Sequence, residues 1–226
     1  QYYESKDGQL YDRDALAKPI ASSPKDQLLL DQGEQSHYVV LGNCDVDSLV
    51  VKGNVNLILG RGCHLSVKNG IVIEEGSILR ICSEHDFRFE PHLMGQMSVD
   101  KSAVVAERPA ALCGFQSSQL QIHGGKVDIA SATAGVKVGA FDMFNGEVTV
   151  TAGAGYAGVD LAYVSSRCLL DAGTLTVTGG AGAAAIGGNV GENGGQFSMN
   201  RGLLRANATP TDEGKCAAGI GAGAGG

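Results

Sequence analysis

Residues 84–92 hold the densest group of side chains in the sequence that could bind a metal ion. Two histidines and three carboxylates fall within this stretch, and both side-chain types are metal ligands. Their spacing matches no known ligand motif. A solvated loop in which Phe87 and Phe89 cover the edge of the core explains the same residues. We therefore predict no metal ligands here.

Four of the aspartates in the second half of the chain, Asp128, Asp142, Asp160 and Asp171, recur at intervals along it. Parallel β-helix enzymes act on acidic polysaccharides with clustered aspartates, or with Arg and Lys, on one sheet face. Adjacent parallel strands lie about 4.8 Å apart, so two carboxylates at one position of neighbouring strands could form a catalytic pair. Whether these aspartates do so depends on how the strands align.

The motifs give no support to nucleotide or redox chemistry. The glycine-rich stretches 179–195 and 219–226 contain no G-x-x-x-x-G-K-[ST], and Gly187-Gly188 does not open a helix after a Rossmann strand. The six cysteines include no C-x-x-C pair, which argues against zinc and thioredoxin-like sites. We predict no cofactor.

Composition is that of a globular protein and argues against two classes of partner. Hydrophobic residues make up 43% of the 226 residues and charged residues 18%, which is enough apolar surface for one core. The net charge is −7 and no basic stripe occurs, so we expect no nucleic-acid partner. No apolar run reaches about 18 residues, so the sequence predicts no membrane span.

Alternation of apolar and polar residues between Leu49 and Ile81 predicts short β-strands with one buried face. Twelve of the 17 odd-numbered positions are apolar, against four of the 16 even-numbered ones, and a period of two is that of a strand. Glycine-containing turn signals interrupt the pattern every few residues. These strands could form hairpins or the sides of a solenoid coil. Residues 1–36, whose only apolar cluster is Leu28–Leu30, are predicted to be an N-terminal cap or arm.

A unit that recurs four times in the second half of the chain favours a solenoid over hairpins. Its pattern is apolar-x-apolar-x-x-Gly-x-apolar-x-apolar, and its glycines are Gly125, Gly146, Gly173 and Gly202. Each copy is followed by a segment rich in Ala and Gly that ends in a β-branched residue. These residues are Val136, Val159, Ile186 and Ile220.

Repeats of about 20 to 30 residues, such as this one, are typical of stacked architectures, in which each copy buries the apolar face of the next. We therefore predict an all-β fold, a parallel β-helix or β-solenoid over residues 37–226. We expect it to be right-handed, because parallel crossovers almost always are.

The repeats also align the polar residues. Two aligned sets are Asp128, Thr149, Thr176 and Arg205, and His123, Phe144, Asp171 and Asn200. Neither set holds two aspartates, so we predict no catalytic residues. Asp128 and Asp142 occupy polar positions of the alternation and are predicted to point outward. The row that begins with Asp128 could bind a glycan or a protein, or could be solvated surface.

The cysteines fit a buried role. Cys44, Cys63 and Cys82 are evenly spaced, at close to the length of one coil, and Cys168 occupies an inward position of the repeat. Cysteine packs as a small hydrophobe and is among the most buried residue types. We expect free thiols stacked in the core, although an even count of six leaves disulfides open.

Two sets of residues resemble the repeats of large β-helix surface proteins from gut anaerobic bacteria. The first set is HYVV at 37–40, NVNLIL at 54–59, GCHLSV at 62–67, GIVI at 70–73 and GSILRI at 76–81. The second set is AAIGG at 184–188, GGQFSMN at 194–200 and CAAGIG at 216–221. That family's glycine-rich pattern reads A-G-I-G-G followed by G-G-x-I-x-I-x-G-G-x-V.

The resemblance covers roughly residues 37–226 and implies a secreted or surface location with an adhesive or carbohydrate-associated role. The chain departs from the pattern in two places. Its Gly-Gly pairs are complete only near the C-terminus, and residues 84–110 form a long link where a short one is expected. Because the family pattern would start another strand after Gly226, we expect the natural protein to continue.

These inferences favour a non-catalytic structural or adhesive module of a secreted or cell-surface bacterial protein, which presents loops or a flat polar face to a glycan or protein. Two alternatives stay open: a β-helix polysaccharide-active enzyme, either a lyase or a glycoside hydrolase, and a rigid spacer without a ligand. An enzyme needs converging carboxylates, and an adhesin needs an exposed aromatic or polar shelf. The sequence identifies neither the ligand-binding side chains nor the oligomeric state.

Overall fold

The computed structural model describes residues 2–6, 9–13, 15–84, 91–101 and 109–225, and most of these are β-strand. The strands, in chain order, are β1 Tyr2–Lys6, β2 Gln9–Arg13, β3 Lys18–Pro19, β4 Ser23–Asp31, β5 His37–Val40, β6 Asn43–Lys52, β7 Asn54–Leu59, β8 His64–Val67, β9 Ile71–Ile73, β10 Ile78–Ser83, β11 Gln96–Lys101, β12 Ala110–Gly114, β13 Gln119–Ile122, β14 Lys126–Ser131, β15 Ala134–Lys137, β16 Ala140–Met143, β17 Glu147–Thr151, β18 Val159–Asp160, β19 Arg167–Leu170, β20 Thr174–Ala181, β21 Ile186–Gly187, β22 Gln196–Met199, β23 Leu203–Thr209 and β24 Ile220–Gly221. A 3₁₀ turn, Pro91–Leu93, precedes β11. Within the described ranges, no helix has the length and apolar character needed to cross a membrane.

The strands from β3 onward form coils with three faces. The first face is the parallel run β3, β5, β7, β10, β13, β16, β19 and β22. The second face is β4, β6, β8, β11, β14, β17, β20 and β23, and the third is β9, β12, β15, β18, β21 and β24. The long strand β6 joins the last two faces, because its first half pairs with β8 and its second half with β9. The predicted all-β parallel solenoid is confirmed.

Parallel pairing begins inside the segment 1–36 that the sequence marked as a cap or arm. Strands β3 and β4 pair in parallel with β5 and β6, so they form a first coil. Upstream of it, β1 and β2 form an antiparallel hairpin that meets β10 at Tyr3 and Ser83. Tyr2 packs against Ile58 and Cys82 on the outside of the first face. The division of the chain at residue 36 stays a prediction, since strand pairing alone does not define domains.

Inward side chains of successive coils stack in continuous columns, as the glycine-centred repeat predicts. Four of these columns are Leu120, Phe141, Cys168 and Phe197; Val127, Val148, Leu175 and Leu204; Ile129, Val150, Val177 and Ala206; and Val136, Val159, Ile186 and Ile220. Through the coil that contains Cys168 these side chains are at most 3% exposed. Burying each large aliphatic side chain contributes roughly 1.5–3 kcal/mol. Because both neighbours of a coil supply that cover, the coils stabilise one another.

The repeat glycines are required for two reasons at once. Gly146 has a φ of 96°, a left-handed conformation that costs other residues roughly 1–2 kcal/mol. A Cβ at Gly146 would also lie 2.6 Å from the carbonyl oxygen of Gly125. The same contact recurs between Gly173 and the Gly146 carbonyl, and between Gly202 and the Gly173 carbonyl. These glycines therefore form a ladder along the corner between the first and second faces.

The six cysteines are free thiols, but the first three do not stack on one another. Cys44 pairs in register with Leu65, and Cys82 pairs with Ile58 on the outside of the first face. The even spacing of these cysteines was misleading because equivalent positions of neighbouring coils lie further apart in the sequence than the cysteines do. Cys168 lies inward between Phe141 and Phe197, as predicted. Five thiols are buried and Cys216 is exposed.

We predict that Gly146→Ala lowers the free energy of unfolding more than Gly155→Ala does. Gly155 has a similar φ of 82° but open space around its missing Cβ, so its substitution carries only the conformational cost of about 1–2 kcal/mol. Gly146→Ala adds a clash with the backbone of the preceding coil. Chemical or thermal unfolding of the two variants measures the difference. Equal loss of stability would show that the coils do not depend on this close approach.

We predict that one thiol of the native protein reacts quickly with a disulfide reagent and five react slowly. Burial raises the pKa of the Cys63 and Cys168 thiols, and the thiolate is the reactive form. Timed titration of native and denatured protein measures the two classes. Cys216→Ser is the matched control and should remove the fast phase. More than one fast thiol in the native wild-type protein would contradict the buried placement.

Candidate functional site

The outward side chains of the second face form one polar row that crosses seven coils. Its members, in chain order, are Asp45, Ser66, Ser98, Asp128, Thr149, Thr176 and Arg205. The predicted alignment of Asp128 with Thr149, Thr176 and Arg205 is confirmed. We call this outward side of the second face the polar face. Parallel pairing sets the separation of neighbouring side chains along the row at about 4.8 Å.

A second row lies two residues further along each strand and contains one small residue between larger ones. It runs through Asp100, Ala130, Thr151, Thr178 and Asn207. Ala130 is exposed and has only a methyl group, whereas its neighbours Asp100 and Thr151 are larger. The alternating pattern places Ala130 outward, because Ile129 beside it lies in the core. The surface of this row is therefore lower at Ala130 than at the residues on either side.

A shallow groove of about 700 Å³ follows from this difference in side-chain size. Its lining residues are Ser66, Lys68, Asn69, Ser98, Val99, Asp100, Asp128, Ile129, Ala130, Thr149 and Thr151. We call it the polar groove. It crosses the strands of four successive coils, β8, β11, β14 and β17, so its walls are formed by residues from distant parts of the sequence. Hydroxyl, amide, ammonium and carboxylate groups all face the groove.

Electrostatic contacts on the polar face are weak and leave its charged groups accessible. The Lys126 ammonium lies 3.8 Å from Asp128, and these side chains are 41% and 45% exposed. An ion pair so exposed is screened by solvent and contributes little to stability. His64 Nε2 and the Ser98 hydroxyl share a hydrogen bond of 3.1 Å. Asp128 can therefore accept hydrogen bonds from a ligand without first losing a strong internal partner.

Asp142 points away from the core, as predicted, but it is not available to solvent. Its neighbours Phe141 and Met143 lie in the core, while the Asp142 side chain is on the outside of the first face and only 3% exposed. Arg167 from the next coil binds it with two nitrogens, at 2.7 and 3.2 Å. The hydrogen bonds and charge of Asp142 raise the pKa of Arg167. This bidentate pair links two coils.

Asp160 is the centre of a buried polar network on the third face. Lys137 Nζ donates to its Oδ2 at 2.7 Å, and Asn189 Nδ2 donates to the same oxygen at 3.0 Å. The backbone amide of Ala162 donates to Oδ1 at 2.9 Å. Burial alone would lower the pKa of Lys137, but the hydrogen bond and charge of Asp160 outweigh it and raise that pKa. These partners satisfy the Asp160 carboxylate structurally.

Asp171 directly follows the first-face strand β19 and contacts the next coil. Asn200 Nδ2 donates to its Oδ1 at 2.9 Å, and a guanidinium nitrogen of Arg201 lies 3.6 Å from its Oδ2. In the two preceding coils the aligned rings of His123 and Phe144 stack, with centroids 4.8 Å apart. The four aspartates thus divide among three faces, and Asp142 aligns with Leu169 rather than with Asp171. The structure does not bring two of them together at one aligned position.

The residues 84–92 that the sequence marked as a possible metal cluster lie mostly outside the described residues, since positions 85–90 are not among them. Glu84 is described, and its carboxylate accepts a hydrogen bond of 2.9 Å from the backbone amide of Arg61. In the described part of the chain, no group of three metal-ligating side chains lies close enough to hold an ion.

Sequence reasoning found the polar row but missed the groove and the network around Asp160. The groove depends on one alanine among larger polar residues, and Ala130 stands out only when the coils are aligned. The network joins Lys137, Asp160 and Asn189, which belong to three different coils. In the sequence, these three residues stand out only because they are polar in segments otherwise rich in Ala and Gly.

No family model, curated protein or solved structure matches this chain. The function proposed below therefore rests on the side chains of the solenoid and on its repeat pattern.

Proposed function

We propose that this chain is a non-catalytic structural or adhesive module of a secreted or cell-surface bacterial protein, and that its polar groove binds a glycan. The observation that carries the proposal is the groove itself, which lies across four coils and is lined by hydroxyl, amide and charged groups. A polysaccharide presents many hydroxyls, each a donor and an acceptor. Rows of such partners on a stiff sheet suit a ligand of repeating structure.

A glycan fits the polar groove better than a protein partner does. The cores of protein interfaces are enriched in aromatic side chains, Met and Arg and depleted in Lys, Asp and Ser. Among the residues that the structure describes, the lining of the polar groove contains no aromatic side chain but includes Lys68, Asp100 and Asp128, together with several hydroxyls. The secreted or surface location rests on the resemblance of the repeats to bacterial surface proteins.

A rigid backbone supports binding at low entropic cost. Every strand of the polar groove is hydrogen-bonded on both sides, since β8, β11, β14 and β17 lie inside the sheet. Short side chains such as Ser98 and Thr149 lose little rotamer freedom when they bind a ligand. The groove is therefore largely preorganised, as ligand sites generally are.

We predict that Ala130→Phe lowers glycan binding at least tenfold, because the ring would fill the floor of the polar groove. Ala130 is exposed, so the larger side chain does not disturb the core. The measurement is a glycan-array screen of the wild-type protein, followed by titration of the saccharides it retains. Asn207→Phe is the matched control, since Asn207 lies in the same row three coils away and outside the groove.

Three outcomes contradict the proposal. Equal loss of binding in both variants would place the site elsewhere or show a general effect of the added ring. Absence of binding by the wild-type protein would favour a spacer without a ligand. Turnover of uronic-acid polymers, assayed in parallel, would favour the β-helix polysaccharide-active enzyme.

A further inference from the structure

A second groove lies on the outside of the third face, at its corner with the first face. It consists of two hollows of about 580 and 440 Å³ that share the side chains of Phe115 and Tyr163. The Phe115 side chain is 52% exposed, which is unusual for an aromatic residue in a chain with so few of them. We call the two hollows together the aromatic groove. Their volumes lie in the range of about 300–1,000 Å³ typical of ligand sites.

A loop from a later coil holds the aromatic wall of this groove in place. The Tyr163 hydroxyl donates to the carbonyl of Gly114 at 2.9 Å, and Gln116 Nε2 donates to the carbonyl of Val164 at 2.7 Å. The loop reaches this corner by passing over the coil between, whose Lys137 ammonium lies 5.3 Å from the centroid of the Tyr163 ring. These hydrogen bonds hold the loop that carries Tyr163 against the corner that carries Phe115 before any ligand binds.

The floor of the groove is apolar where the alternation pattern would place polar residues. Val50, Val72 and Cys113 point outward from the third face and line one of the two hollows. Val50 and Val72 are two of the four apolar exceptions at even-numbered positions between Leu49 and Ile81. Contiguous apolar side chains on an outward surface are typical of interaction sites and ligand-binding grooves.

The rim of the groove is polar and carries negative charge. Glu74 and Gln27 border one hollow, and Glu75, Gln116 and Ser117 border the other. The amide and hydroxyl groups donate and accept hydrogen bonds, while the carboxylates accept them. The carboxylates disfavour an anionic ligand such as a uronic acid. The groove thus combines an exposed ring, an apolar floor and hydrogen-bonding groups at its edge.

We propose that the aromatic groove binds a neutral saccharide, with the apolar face of one sugar ring against Phe115 and the hydroxyls of that sugar at the Glu74, Glu75 and Gln116 rim. A pyranose has one face of C–H groups and an edge of hydroxyls, which matches the ring and the rim together. This inference rests on the proposed function, since it takes the chain to be a glycan-binding module. It assigns a second site, on a different face from the polar groove.

The test uses the full chain and four neutral hexasaccharides, of glucose in β-1,4 and α-1,4 linkage, of xylose and of mannose. Phe115→Ala is expected to lower the affinity for at least one of them tenfold or more. The exposed position of Phe115 keeps this variant folded, and Phe115→Tyr, which retains the ring face, is expected to restore binding. Asn207→Phe, at an exposed position outside both grooves, is expected to leave this affinity unchanged.

A spectroscopic readout separates direct contact from a general effect. In protein with ¹³C-labelled phenylalanine, the ring signal that Phe115→Ala removes should shift on addition of the bound hexasaccharide, while the buried Phe141 signal stays in place. If Ala130→Phe abolishes the binding of every hexasaccharide that the wild-type protein binds, and Phe115→Ala affects none of them, the second site is overturned and the proposed function stands. Absence of binding to all four would overturn the second site, and the array screen would then decide the proposed function separately. A shift of the Phe115 signal with choline but with no sugar would assign the groove to organic cations instead.

Discussion

Each coil of this solenoid must lie at hydrogen-bonding distance from the next, about 4.8 Å, along all three faces. The corners meet this constraint through glycine, because the backbone of Gly146 approaches the Gly125 carbonyl more closely than any Cβ allows. Once that spacing is fixed, the paired strand positions of a coil lie over the same positions of its neighbour. Inward residues then stack in columns, and outward residues line up in rows.

The same constraint explains how surface features arise from single residues. A row of polar side chains becomes a groove where one of them is alanine, as at Ala130 on the polar face. Two apolar residues that break the alternation show this: Ile58 lies under Tyr2 of the N-terminal hairpin, and Val72 lines the aromatic groove. These exceptions therefore lie where another segment of this chain packs or where a hollow forms.

Charged groups are used differently on the different faces. On the first and third faces, Asp142 and Asp160 are buried and form short ion pairs with Arg167 and Lys137 of adjacent coils. Removing one partner of such a pair would leave a buried charge without compensation. On the second face, Asp128 is half-exposed and its ion pair is long. The buried carboxylates of Asp142 and Asp160 link one coil to the next, whereas the half-exposed carboxylate of Asp128 is accessible to a ligand.

The sequence by itself determined the alternating strands between Leu49 and Ile81, the register of the glycine-centred repeat and the outward direction of Asp128, because alternation and the corner glycines are local signals that recur along the chain. It did not reveal that the first coil begins at Lys18, since so short a strand leaves no periodic signal. The even spacing of the first three cysteines suggested a column that does not form, because the coils there are longer than that spacing. The aromatic groove brings together Phe115 and Tyr163, which lie far apart in the sequence. Only the tertiary structure shows that these two residues meet, because their contact depends on how far the loop that carries Tyr163 extends across the coil between them.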